Sequence, residues 1–109
     1  MSLDTTPFEA ELHTVAGVVV AHCPGPWSRI TLHAEISRGT AARLETLFVP
    51  AGGGEEESYS LELDAVTVLD GLNVIRNALI AKGERKPDRF VFTLQPDGTF
   101  ELALGKKRR

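Results

Sequence analysis

The 109-residue chain has a single cysteine, Cys23, so no intramolecular disulfide can staple it. Long apolar runs are missing too. The longest stretch of apolar residues and glycine is Val15 to Ala21, where about twenty residues are needed to cross a bilayer, so no membrane span is expected. No lysine or arginine precedes that stretch, which makes it a poor signal peptide and leaves the cytoplasm as the default location. Basic charge is scarce in the body of the chain. Lys106, Lys107, Arg108 and Arg109 account for four of the 12 basic residues, so residues 1–105 carry 8 basic against 15 acidic side chains. The headline net charge of -3 therefore conceals an acidic body of -7 with a short basic tail. With 42% apolar residues and this length, one domain with one core is expected, its ordered body running from about residue 6 to 105.

The pattern predicts helix first. Thr6, Pro7 and Glu9 match a capping box with proline at the first helical position, and Phe8, Leu12, Val15, Ala16 and Val19 form one apolar stripe. Val18 and Val20 lie off it and leave room for a second buried flank. Cys23-Pro24-Gly25-Pro26 ends the helix, because neither proline can continue it. The first helix is thus expected from about Pro7 to His22.

From Trp27 the period changes to two. Ile30, Leu32, Ala34 and Ile36 share one face, a reversal fits at Ser37 to Thr40, and a return strand from about Ala41 to Val49 puts Ala42, Leu44, Thr46 and Phe48 on the same side. Pro50 and Gly52-Gly53-Gly54 stop it, and Glu55-Glu56-Glu57 forms a charged loop. Tyr59, Leu61 and Leu63 predict a third strand, with Ser60, Glu62 and Asp64 toward water. A second helix is expected from about Ala65 to Lys82, with a stripe of Leu69, Leu72, Ile75 or Arg76, and Leu79, and Gly83 just beyond it. Residues 65–69 could instead extend the third strand. A charged connection, Glu84 to Asp88, leads to a closing hairpin. Phe90, Phe92 and Leu94 face inward before the turn Pro96-Asp97-Gly98, and Phe100, Leu102 and Leu104 after it. The order α-β-β-β-α-β-β predicts an α+β two-layer sandwich, an antiparallel sheet of about five strands covered on one face by two helices.

No chemistry-bearing constellation emerges. His13, His22, His33 and Cys23 lack the paired spacing of a zinc site, so no metal is expected. Ser28 has no nucleophile-elbow setting, and Cys23 reads as an inert thiol. The glycine run lacks the Gly-Lys-Ser/Thr of a phosphate loop and is followed by glutamates that repel phosphate. Neither a cofactor nor enzymatic activity is expected. The basic tail, without interleaved aromatics and on a body of opposite sign, is a poor nucleic-acid footprint. Trp27 reads as a structural plug at the helix-to-sheet corner and Gly98 as the structural glycine of the last turn.

Three segments resemble the YezG-like immunity protein family. Pro26-Trp27-Ser28-Arg29-Ile30-Thr31-Leu32-His33-Ala34-Glu35 looks like that family's strand after the first helix. Leu72 to Leu79 is similar to its L-x-x-L-R helix, and Phe92 to Phe100 resembles its closing hairpin with D-G-x-F. The chain departs from the pattern at Lys86-Pro87, where an aromatic residue is expected, and in its Lys-Lys-Arg-Arg end. The resemblance implies a non-enzymatic bacterial protein that binds and neutralises a cognate toxin, often a nuclease. The acidic body fits such a basic partner independently, through electrostatic steering. The partner-binding residues expected are Glu35, Glu45, Glu55, Glu56, Glu57 and Glu62, gathered on one sheet face and one loop. A small ligand-binding or regulatory domain, dimeric through a sheet edge, is the alternative.

Overall fold

The computed structural model describes residues 8–37, 40–81 and 89–105. Helix α1 (Glu9–His22) leads into β1 (Trp27–Ser37) and β2 (Thr40–Pro50), followed by a short β3 (Glu57–Tyr59). A 3-10 turn (Glu62–Asp64) opens α2 (Ala65–Ala81), and β4 (Arg89–Leu94) and β5 (Phe100–Gly105) close the chain. The sheet order is β3-β2-β1-β4-β5, every pair antiparallel, with α2 carrying the chain from one side of the sheet to the other. This is the two-layer α+β sandwich that the hydrophobic periods predict.

One face of the sheet makes the core. Ile30, Leu32, Ala34 and Ile36 of β1, Phe90, Phe92 and Leu94 of β4, and Leu102 of β5 are buried beneath Phe8, Leu12, Val15 and Val19 of the α1 region and Val68, Leu72, Ile75 and Leu79 of α2. Their alternation in the strands and their three-to-four spacing in the helices put each of them on the inner side of its element. Val20, off the stripe, is exposed, whereas Val18 packs partly against the core. In α2 both Ile75 and Arg76 are buried, and Arg76 Nε has no hydrogen-bond partner among the described residues.

Local expectations are corrected at the start of α1 and along the third strand, and others fall outside the described residues. Helix α1 begins at Glu9 with Phe8 at its N-cap and no side-chain cap, two residues after the predicted start; Thr6 and Pro7 lie outside the described residues. So do Arg38 and Gly39 of the first reversal, Gly83, the 84–88 connection, the basic tail and the Leu104 side chain. Residues 65–69 are helical, not strand. The third strand ends at Tyr59: Leu61 reaches the core, but Leu63, predicted inward, is 89% exposed. The cause is local. Glu62 adopts φ 54, a left-handed conformation that breaks the two-residue alternation, and its N–H is held by the Ser60 hydroxyl at 3.0 Å.

Turn chemistry at the other end follows the sequence. Gly98 has φ 89, as the reversal requires, and its N–H donates to the Gln95 carbonyl at 3.0 Å. Asp97 Oδ1 accepts the Thr99 hydroxyl at 2.6 Å and the Thr99 N–H at 2.9 Å, which hold its carboxyl below the usual aspartate range. Trp27 is half-buried and packs against the edge of the core.

Candidate interaction surface

The uncovered face of the sheet carries the alternate residues of the same strands. The register places Arg43 and Arg89 on either side of Glu35, and His33 opposite Glu45. Glu35 accepts from Arg89 at 3.0 Å, and Glu45 lies 3.6 Å from Arg43. Thus the two glutamates are diagonal rather than opposed, and each has an arginine partner. The side chains surround a shallow depression of about 170 Å³ lined by His33, Glu35, Arg43, Glu45 and Arg89.

Among the described residues, Arg29, Arg43 and Arg89 on this face match Glu35, Glu45 and Glu101 in number. The expected acidic sheet face is therefore electrically balanced. The physical reason is cross-strand pairing: like charges on neighbouring strands repel, so a sheet face exposed to water alternates its signs.

The acid excess lies elsewhere. Between Arg43 and Arg76 the chain has no basic residue, while Glu45, Glu55, Glu56, Glu57, Glu62, Asp64 and Asp70 all fall in that interval. The interval builds one side of the molecule: β2, the outermost β3 and the start of α2. Glu55 and Glu56 are exposed in the connection after Gly53 and Gly54, whose φ values of 87 and 117 help turn the chain back onto β2. Glu57, expected in the same loop, is also exposed but opens β3, opposite Phe48. Glu62 and Asp64 are exposed in the 3-10 turn. The six predicted glutamates thus divide: Glu35 and Glu45 are paired with Arg89 and Arg43 on the balanced face, Glu45 at its border with the acidic edge, and Glu55, Glu56, Glu57 and Glu62 lie on that edge.

Exposed apolar side chains accompany these carboxylates. Leu63 is 89% and Val66 61% exposed, both within the acidic interval. An apolar spot rimmed by charge of one sign is a common form of protein-binding surface. Sequence periodicity missed it, because it counted Leu63 as core.

Two polar links hold this edge to the helices. The Tyr59 hydroxyl donates to the Val19 carbonyl at 2.6 Å, and burial, reinforced by Cys23 nearby, pushes its pKa above the usual tyrosine range. His22 Nε2 lies 2.7 Å from Asp64 Oδ2, joining the end of α1 to the 3-10 turn. The remaining histidines are apart: His13 is exposed with its ring edge-on to Phe100, and His33 is on the open sheet face. Among the described residues no three His, Cys, Asp or Glu side chains gather as metal ligands, and no helix is long and apolar enough to cross a membrane. In comparison with known proteins, no family model and no curated relative matches the chain.

Proposed function

We propose that this chain is a non-enzymatic, immunity-type protein that binds and neutralises a basic toxin through its acidic edge. The observation that carries the reading is the uninterrupted acidic interval from Glu45 to Asp70, with its exposed glutamates and with Leu63 and Val66 among them. A nuclease-type toxin has a basic surface for nucleic acid, and an acidic partner both accelerates encounter with that surface and competes for it. The resemblance of the Trp27 strand, the Leu72 to Leu79 helix and the closing hairpin to YezG-like immunity proteins supports the same role. The reading needs no bound cofactor, because blocking a surface requires only complementarity.

The test is a search of the neighbouring genes for a basic, nuclease-type toxin domain and its co-expression with this chain. Rescue of growth, together with a stoichiometric complex that weakens as salt rises, is the expected result. Unrelieved toxicity with no complex sinks the reading.

A further inference from the structure

Among the described residues, the acidic edge also has backbone groups with no strand beside them. β3 pairs only with Thr46–Phe48 of the eleven-residue β2. Among the described residues, no strand pairs with the outer edge of β2 from Arg43 to Glu45. An unpaired strand edge presents a row of N–H and C=O groups ready to accept another strand. A groove of about 510 Å³ opens at this place. Leu44, Tyr59, Leu61 and Ala65 line it with apolar surface, and Glu45 and Glu62 supply carboxylates.

We propose that this edge is a strand-addition site for an extended segment of a protein partner in which lysine or arginine alternates with small apolar residues. Side chains of an added strand point alternately to the two faces of the sheet. On the covered face they meet Leu44, Tyr59 and Leu61; on the open face they meet Glu45 and its ion-pair partner Arg43. The charge of the site selects the occupant. A second copy brought edge to edge would juxtapose two grooves whose lining includes Glu45 and Glu62 and no lysine or arginine, whereas a basic segment neutralises one. The proposal rests on the reading above as a binder of a basic partner and adds the mode of binding.

A fluorescein-labelled peptide of alternating lysine and valine is the probe. Two controls share its design: one N-methylated on alternate residues, which blocks strand pairing but keeps the charge, and one with glutamate replacing lysine. The lysine peptide should bind and slow hydrogen exchange at the outward amides of Arg43–Glu45 by about tenfold or more. N-methylation should weaken binding by about tenfold, since it removes edge hydrogen bonds. Combining Glu45→Gln with Glu62→Gln should weaken it by about fivefold, and less at high salt.

The proposal is overturned if the lysine peptide does not bind, if the N-methylated or glutamate peptide binds as well, or if protection appears elsewhere. Protection of these amides that grows with protein concentration alone would assign the edge to a second copy and overturn it as well. A neutralised toxin that leaves Arg43–Glu45 unprotected removes strand addition while the toxin-binding reading stands.

Discussion

The Tyr59 hydroxyl caps the last turn of α1 by donating to the Val19 carbonyl at 2.6 Å. The carbonyls of a final helical turn lack partners within the helix, and here the Cys23 N–H goes to Val20 instead. The tyrosine ring also packs edge-on against Phe48, 5.7 Å between centroids, so one side chain joins β3, β2 and α1. Tyr59→Phe keeps the ring and strands the carbonyl. A loss of about 1–2 kcal/mol is expected from the urea unfolding midpoint, larger than for a conservative change on the surface.

The same hydroxyl makes stability depend on alkaline pH. Burial disfavours the phenolate first, and charge on the nearby Cys23 thiolate adds to it, so the folded-state pKa is raised. A raised folded value means that the contribution is fully present below the unfolded tyrosine pKa of about 10 and is lost as pH climbs beyond it. Tyr59 is the only tyrosine, so phenolate absorbance reports it alone. Ionisation should lag well behind that of free tyrosine and coincide with loss of helical circular dichroism. Ordinary titration in a folded protein would contradict the buried hydroxyl.

Gly71 marks where the two helices come together. A Cβ built there would meet Val15 Cγ2 at 3.4 Å and the Glu11 carbonyl at 3.6 Å, which are ordinary contact distances. Its place in mid-helix costs roughly 1 kcal/mol of helix propensity relative to alanine. Gly71→Ala should therefore stabilise the fold, by up to about 1 kcal/mol. A drop in melting temperature would show that α1 and α2 cannot yield at this contact.

Most of the architecture was legible in the residues because both hydrophobic periods are clean. Phe8, Leu12, Val15 and Val19 read as one helix face, and Ile30 to Ile36 and Phe90 to Leu94 as strand faces, and all are buried. The pairing of β1 with β4 was not legible, since the α2 crossover brings together residues more than fifty positions apart. That pairing supplies Arg89 to Glu35, which is why an acidic sheet face expected from β1 and β2 turned out balanced. The turn at Glu62, and with it the exposure of Leu63, was missed for a different reason: a single left-handed residue reverses the alternation without any glycine to announce it.

Exposed loop charges act on encounter more than on fold. Glu55, Glu56 and Glu57 are exposed, with no basic residue between Arg43 and Arg76 to offset them. Reversing all three to lysine should leave the melting temperature within the shift of ordinary surface substitutions, about 0.5 kcal/mol each. Association with a basic partner should slow by about tenfold at low salt and lose much of its salt dependence, measured by stopped-flow fluorescence. Unchanged kinetics with a demonstrated partner would remove this loop from the interface.

Leu61 and Leu63 separate a strand from a turn with two substitutions. In a continuous strand both would point inward, and truncating either would open a cavity. The structure instead buries Leu61 to 3% exposure and leaves Leu63 at 89%. Leu61→Ala should then cost about 2–5 kcal/mol by lost burial and cavity formation. Leu63→Ser should change stability by no more than about 0.5 kcal/mol, since no packing is lost. The same serine variant should weaken binding of a basic partner if Leu63 is the apolar centre of the acidic edge, giving a substitution that acts on recognition and spares the fold. Equal destabilisation by the two changes would restore the continuous strand and close the groove beside β2.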